Sequence, residues 1–223
     1  MNDVSRGMMV VGVLAAIALC GLALPVAAAP SLEGFTGLLL TPTADALNQD
    51  DYNLAVFARN VEEGGDFQVF AGNIGVAKGM EAGFARIKPE HTSGETILNA
   101  KYRFRDEDAG RPALAVGVID ATDEIETSTY FVLSKSLARM PLVRGNELTS
   151  PRVSVGFGGG RLSGLFGGVS AVLGEKLMLI AEYDTKDVNL GAQLPLSYGL
   201  RAHAGWTNGL NDFAAGLSFN KAF

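Results

Sequence analysis

His91 and His203 are the chain's two imidazoles, so general acid-base or metal chemistry would have to begin with them. Ser93 stands two residues beyond His91, in a loop-like stretch after Pro89-Glu90, and a serine beside a histidine is the start of an acyl hydrolase or transferase. Such a site needs a third group to orient the base, and no spacing here supplies it. Neither histidine has the His/Glu spacing that holds zinc. Gly156-Phe-Gly-Gly-Gly160 is rich enough in glycine to invite a phosphate-loop reading. It lacks the Gly-Lys-Ser/Thr ending and a following helix, so close strand packing or a bend accounts for it better. Catalytic, metal-binding and cofactor-binding residues are therefore expected to be none, and the protein is expected not to be an enzyme.

A different set of polar residues does have a pattern. Lys101, Arg103 and Arg105 alternate with Leu98, Ala100, Tyr102 and Phe104; Asp187 and Asn189 alternate with Val188 and Leu190; Arg201 and His203 alternate with Leu200, Ala202, Ala204 and Trp206. Successive side chains on a strand point to opposite faces, so each segment has one polar and one apolar wall. Glu182 and Asp184 share this chemistry, but Glu182 has Met178 and Ile180 on its own face, which weakens its assignment to a polar wall. Lys101, Arg103, Arg105, Glu182, Asp187, Asn189, Arg201 and His203 are the candidate lining of a barrel lumen. They would form either an ion-paired network filling a narrow interior or a polar channel for small solutes or glycans, and nothing in the chain specifies a selectivity ring.

The elements that would position them are strands. Period-two patterning predicts about twelve: near 52–59, 66–72, 80–88, 96–105, 113–121, 129–137, 152–158, 168–173, 176–183, 187–194, 200–206 and 213–219. Turn-forming clusters such as Asp106-Glu-Asp-Ala-Gly110, Asp184-Thr-Lys186 and Asn208-Gly-Leu-Asn211 separate many of them. The 28 glycines follow no collagen-like period and suit tight turns and crowded sheet surfaces. Many short strands without a convincing long helix indicate an antiparallel barrel or sandwich.

Before the strands comes a leader. Met1 to Arg6 is polar, Met8 to Leu24 is almost wholly apolar, and Pro25-Val-Ala-Ala-Ala29 ends in small residues, the three parts of a secretory signal peptide. Residues 1–29 are expected to be that signal and 30–223 a single barrel domain opening on Thr41-Pro42-Thr43 as a rigid lead-in. Pro42 fixes φ and disfavours helix at Thr41, while Leu38-Leu-Leu40 would lie along the barrel wall or plug its mouth. Cys20 follows bulky Leu19 and does not suit lipoprotein processing; its removal with the leader leaves no cysteine, which excludes a disulfide scaffold and a thiol nucleophile. The net charge of -6 argues against nucleic acid as a partner.

Periodicity alone does not say which wall meets water. A soluble periplasmic barrel binding an apolar ligand would put charge outside, and an outer-membrane barrel inverts the pattern. Segments of eight to ten residues span a bilayer when tilted. Tyr102, Phe104, Tyr183, Tyr198, Trp206, Phe213 and Phe219 recur near strand ends, as interfacial girdles would. The tail Leu217-Ser-Phe-Asn-Lys-Ala-Phe223 looks like the signal read by the barrel-assembly machinery of bacterial outer membranes. The expected fold class is therefore all-β, a single antiparallel outer-membrane β-barrel of about 12 strands, with outer-membrane lipid as its surroundings. An outer-membrane lipid-modifying enzyme is the third alternative.

Three stretches carry a resemblance. Gly37-Leu-Leu-Leu-Thr-Pro-Thr-Ala44, followed by an acidic turn and a first strand, is similar to the start of the YjbH-like family of outer-membrane barrels linked to exopolysaccharide production. Leu162-Ser-Gly-Leu-Phe-Gly-Gly168, and Ala181-Glu-Tyr-Asp184 with Asp187-Val-Asn-Leu-Gly191, look like later segments of the same family. The resemblance implies an outer-membrane location, polysaccharide or envelope proteins as partners, and a part in exopolysaccharide or envelope assembly or in limited solute passage. It carries over no catalytic residue. Larger family members have far more chain, so a secretion role does not follow for this compact barrel.

Overall fold

The computed structural model describes residues 29–61, 65–90, 93–138, 140–141, 147–174 and 176–221. The expected leader up to residue 28, His91 and Phe223 lie outside these residues. Among the described residues thirteen strands follow in order: β1 (Tyr52–Val61), β2 (Gly65–Ala77), β3 (Met80–Pro89), β4 (Glu95–Arg105), β5 (Ala113–Ile119), β6 (Ser128–Ser136), β7 (Met140–Pro141), β8 (Glu147–Gly158), β9 (Gly164–Leu173), β10 (Leu177–Tyr183), β11 (Val188–Pro195), β12 (Leu200–Thr207) and β13 (Asp212–Lys221). Each pairs antiparallel with its neighbour in sequence, except that β6 passes over the two-residue β7 to pair with β8, and β13 returns to β1. Twelve strands thus close a barrel, and β7 is a short addition beside the start of β8.

The alternation in the sequence becomes two walls. On β1, Asn53, Ala55 and Phe57 face the interior while Leu54 and Val56 face out at 52% and 43% exposure. Phe70 and Ile74 on β2, Phe84 on β3, Leu98, Tyr102 and Phe104 on β4, Val155 and Phe157 on β8 and Leu190 on β11 continue the exposed apolar surface. An aromatic pair stands at each end of it, and Phe70 and Phe84 stand mid-strand. Tyr52 and Phe219 sit 6.2 Å apart at the end where β1 begins, and Trp206 and Phe213 sit 5.2 Å apart at the opposite end. The first is called here the terminal end, and the second the far end.

Three strands run longer than the apolar alternation predicts. β2 continues past Gly72 through Asn73 and Gly75 because Asn73 turns inward to donate to Asn53 Oδ1, and glycine at 75 lets the wall meet the backbone of Asn48, where a Cβ would lie 1.8 Å from a carbonyl oxygen. β8 begins at Glu147, five residues before the expected start. A β-bulge between Thr149 and Arg152 hides the period there, with Ser150 in the left-handed region at φ 50°. β9 begins at Gly164 rather than Gly168, because glycines at 164, 167 and 168 interrupt the alternation of its first residues. Bulges also occur near the terminal end of β2 and β4, the rim position where extra residues redirect barrel strands.

Side chains alone fill an eight-stranded barrel, and a wider one leaves a lumen. Here residues 29–47 occupy that space, and the exposed residues 48–50 lead on to β1. This segment turns near Glu33-Gly34, turns again over Leu38–Thr41 and then feeds β1, stitched by bridges between Pro30 and Thr36 and between Gly37 and Pro42. Gly34 has φ 78° and lies so close to β3 that a Cβ would meet the carbonyl oxygen of Phe84 at 2.6 Å. The hydrophobic core is therefore inside the barrel: Leu32 and Phe35 of the segment pack with wall residues including Phe57, Val69, Ile97, Val132 and Phe166.

Candidate functional site

The interior is organised around two buried carboxylates that hold the inner segment. Glu182 on β10 is 3% exposed. Its oxygens accept from the backbone N–H groups of Leu39 (3.0 Å), Leu40 (2.8 Å) and Thr41 (3.2 Å), from the Thr41 hydroxyl (2.8 Å) and from the Asn189 amide (3.1 Å). The tight turn closed by Leu38 N–H on Thr41 O aims three successive N–H groups at one point, which is how a backbone nest receives an anion. Pro42 follows, buried and with no N–H that would need a partner.

Glu81 on β3 does the same on the other side. It accepts from Thr36 N–H (2.9 Å), the Thr36 hydroxyl (2.6 Å) and Leu47 N–H (3.1 Å). Lys101, directly opposite Glu81 across the β3–β4 pairing, donates to the carbonyl oxygens of Thr36 and, at 3.0 Å, of Asp45. Each of the two carboxylates thus accepts several hydrogen bonds, the condition for burying charge at tolerable cost, while Asn189 Oδ1 beside Glu182 is buried without a hydrogen-bond partner.

The apolar residues on the face of Glu182 have their explanation in the same segment. Ile180 and Met178 point inward with Glu182 and pack against Leu38, Leu39 and Leu40. Leu38–Leu40 therefore lies within the lumen. Gly168 and Gly191 make room for it, since a Cβ on either would come within 2.7 Å of Leu38 or Leu39 side-chain carbons.

The remaining lining candidates occupy distinct places. Asn189, Arg201 and His203 are buried. His203 Nε2 lies 2.8 Å from Ser218 Oγ, and its ring meets Phe57 edge-on at 5.3 Å. The neighbouring cavity measures about 10 Å³, too little for a substrate, so this Ser-His pair ties β12 to β13. Arg103 is half-buried with Nε 2.9 Å from Asp106. Arg105 ends β4 and donates to Pro112 O at the terminal rim. Asp187 lies in the turn before β11, where its N–H donates to Asp184 Oδ1, so it belongs to the far rim rather than to a strand. Ser93 is described, with its carbonyl accepting from Arg86, but its partner in the hydrolase reading, His91, is not.

Sequence reasoning missed Arg152, Asp45 and Glu107. Arg152 donates to both oxygens of Asp45 on the inner segment, at 2.9 and 2.7 Å, and to Glu107 in the β4–β5 turn at 2.5 Å. Arg161 likewise reaches Glu33 at 2.7 Å at the far end. The basic residues of β8 and the following turn show no clean alternation, so the pattern held no signal for these pairs.

Desolvation pushes the Glu107 carboxyl up, but hydrogen bonds from the Arg152 guanidinium, Ser136 N–H and Lys135 outweigh it and bring the group down to about 2. An unfolded glutamate titrates at ~4.3. Because the folded value is the lower one, this stabilisation is complete above the unfolded value and disappears as pH falls through about 2. Urea unfolding should accordingly find Glu107→Gln less stable than the parent at neutral pH, with the gap narrowing progressively in acid. A gap that stays constant with pH would disprove the ion-pair origin.

No family model matches the chain, and no curated protein matches it. Among solved structures, the N-terminal β-barrel domain of Pseudomonas aeruginosa OprF is similar at 11% identity, covering 78% of this chain and 100% of that one, with a TM-score of 0.28. At that score the likeness adds nothing to the strand register, which by itself establishes the closed barrel.

Proposed function

We propose that this chain is a non-enzymatic outer-membrane β-barrel whose lumen is shut by its own N-terminal segment. The observation that carries the reading is the inverted wall: leucine, valine, isoleucine and aromatic side chains stand exposed outside, and the polar network and inner segment are enclosed. Lipid is the solvent that suits such an exterior, with aromatic residues at its two borders. A soluble periplasmic barrel would need the opposite exterior, and a lipid-modifying enzyme would need a nucleophile with room for substrate beside it, which the His203–Ser218 pair lacks.

The finer part of the proposal is a role in exopolysaccharide or envelope assembly, with polysaccharide or envelope proteins as partners and the barrel-assembly machinery delivering the chain. It rests on the stretches similar to the YjbH-like family. Those stretches meet in space: Leu38–Thr41 bonds to Glu182, Asn189 bonds to Glu182, and Gly168 and Gly191 accommodate Leu38 and Leu39. Limited solute passage would require the inner segment to move.

Cell fractionation with heat-modifiability tests the location, and planar-bilayer conductance tests the closure. The expected result is recovery in the outer membrane, a mobility difference between unheated and boiled samples, and no steady current from the intact barrel. Recovery as a soluble periplasmic protein without the shift would sink the membrane reading. A steady ohmic current would sink the closed lumen.

A further inference from the structure

The wall and the inner segment enclose a cavity in the lumen that is rich in basic groups. It lies toward the terminal end and has a volume of about 390 Å³. Three guanidinium groups line it, from Arg103 on β4, Arg152 on β8 and Arg201 on β12. In the closed order of strands these are three, four and five strands apart, so the groups converge from around the barrel rather than from one patch. Ser170 and Gln193 add a hydroxyl and an amide, and Asp45 is the one carboxylate among the described lining residues.

The three arginines differ in their engagement. Arg152 is spread over Asp45, Glu107 and Ser136 and so fixes the wall of the cavity to the inner segment. Arg103 is held through Nε by Asp106 at 2.9 Å. Arg201 is buried, and one of its interactions runs from Nη1 to the Gln193 amide oxygen at 3.2 Å. A planar guanidinium presents several donors in a fixed fork that matches carboxylate and phosphate oxygens, and burial strengthens that interaction.

We propose that this cavity binds a small, soluble oxyanion-bearing solute, with phosphate as the simplest representative. Arg201 and Arg103 contact the oxyanion from opposite sides, Gln193 and Ser170 add polar contacts, and Arg152 holds the inner segment in place as one wall. A lipid headgroup would have to pass the hydrogen-bonded wall, so the ligand comes from the aqueous side. The volume takes an inorganic oxyanion with water, or a small organic phosphate, and not a polymer.

The test uses the full barrel in detergent micelles, with folding scored first by the mobility shift. Thermal unfolding is followed in sodium phosphate and in sodium chloride at equal ionic strength. Phosphate should raise the midpoint saturably, because a ligand that binds the folded state alone stabilises it by mass action. Arg201→Gln and Arg103→Gln should each weaken the apparent phosphate affinity by about tenfold, the loss expected for a charge-assisted contact. Arg86→Gln, on the outer wall near the far end, should leave it unchanged. Equal midpoints in the two salts would overturn the site, as would phosphate stabilisation that survives both cavity variants. Should Arg201→Gln fail to give the mobility shift, Arg103→Gln decides by the same criterion.

Discussion

Replacing Glu182 with alanine should release the inner segment while the barrel wall stays closed. The substitution removes the acceptor for three backbone N–H groups, one hydroxyl and one amide at once. A hydrogen bond to a charged group contributes ~1.5–3 kcal/mol, and each buried donor left without a partner costs ~1–3 kcal/mol. These effects are not additive, yet even a partial sum of about 4–5 kcal/mol is large against the stability of a single segment. The wall loses nothing comparable, since every strand pairing is made by backbone groups that the substitution does not touch. The expected readouts are protease cleavage within residues 29–51, a new conductance in planar bilayers, and a retained mobility shift. Unchanged protease resistance together with an unchanged current would show that Glu182 is not the latch. Glu182→Gln keeps an acceptor and should fall between the two.

An arginine at Val169 should block membrane folding. Val169 is 49% exposed at the middle of β9, in register with Val153 on β8 and Ala181 on β10. A basic side chain on the lipid face of a barrel costs ~2–4 kcal/mol near the bilayer midplane and ~0–1 kcal/mol near its interfaces. Tyr198, 91% exposed between β11 and β12 at the terminal end, supplies the comparison. Refolding into vesicles should therefore fail or slow sharply for Val169→Arg and remain near the parent for Tyr198→Arg. If both variants insert alike, the exposed apolar wall does not face lipid.

The two experiments address different levels of the molecule. Val169 reports on the wall, whose logic is local, and Glu182 reports on the filling of the lumen, whose logic is long-range. Arg152 links them, because it joins a wall strand to Asp45 of the inner segment 107 residues away in sequence and to the β4–β5 turn.

Period-two alternation alone determined most of the barrel. The segments around Lys101–Phe104, Val188–Leu194 and Leu200–Trp206 could be read directly because a strand's side chains alternate whatever surrounds them. Strand limits failed where glycine, proline or a bulge broke that period, at Gly72–Ala77, Thr149–Pro151 and Gly164–Gly168. Arg105 and Asp187 carried the right chemistry for the interior, yet strand ends and turns, which periodicity does not locate, put them at the rims. Only the tertiary structure decided what fills the lumen. Gly37–Leu47 has no repeating pattern of its own, and its partners Glu81 and Glu182 lie about 34 to 143 residues away, so neither end of those bonds is recognisable without the other. Met178 and Ile180 beside Glu182 looked inconsistent with an inward face for the same reason: the leucines that cover them come from the opposite end of the chain.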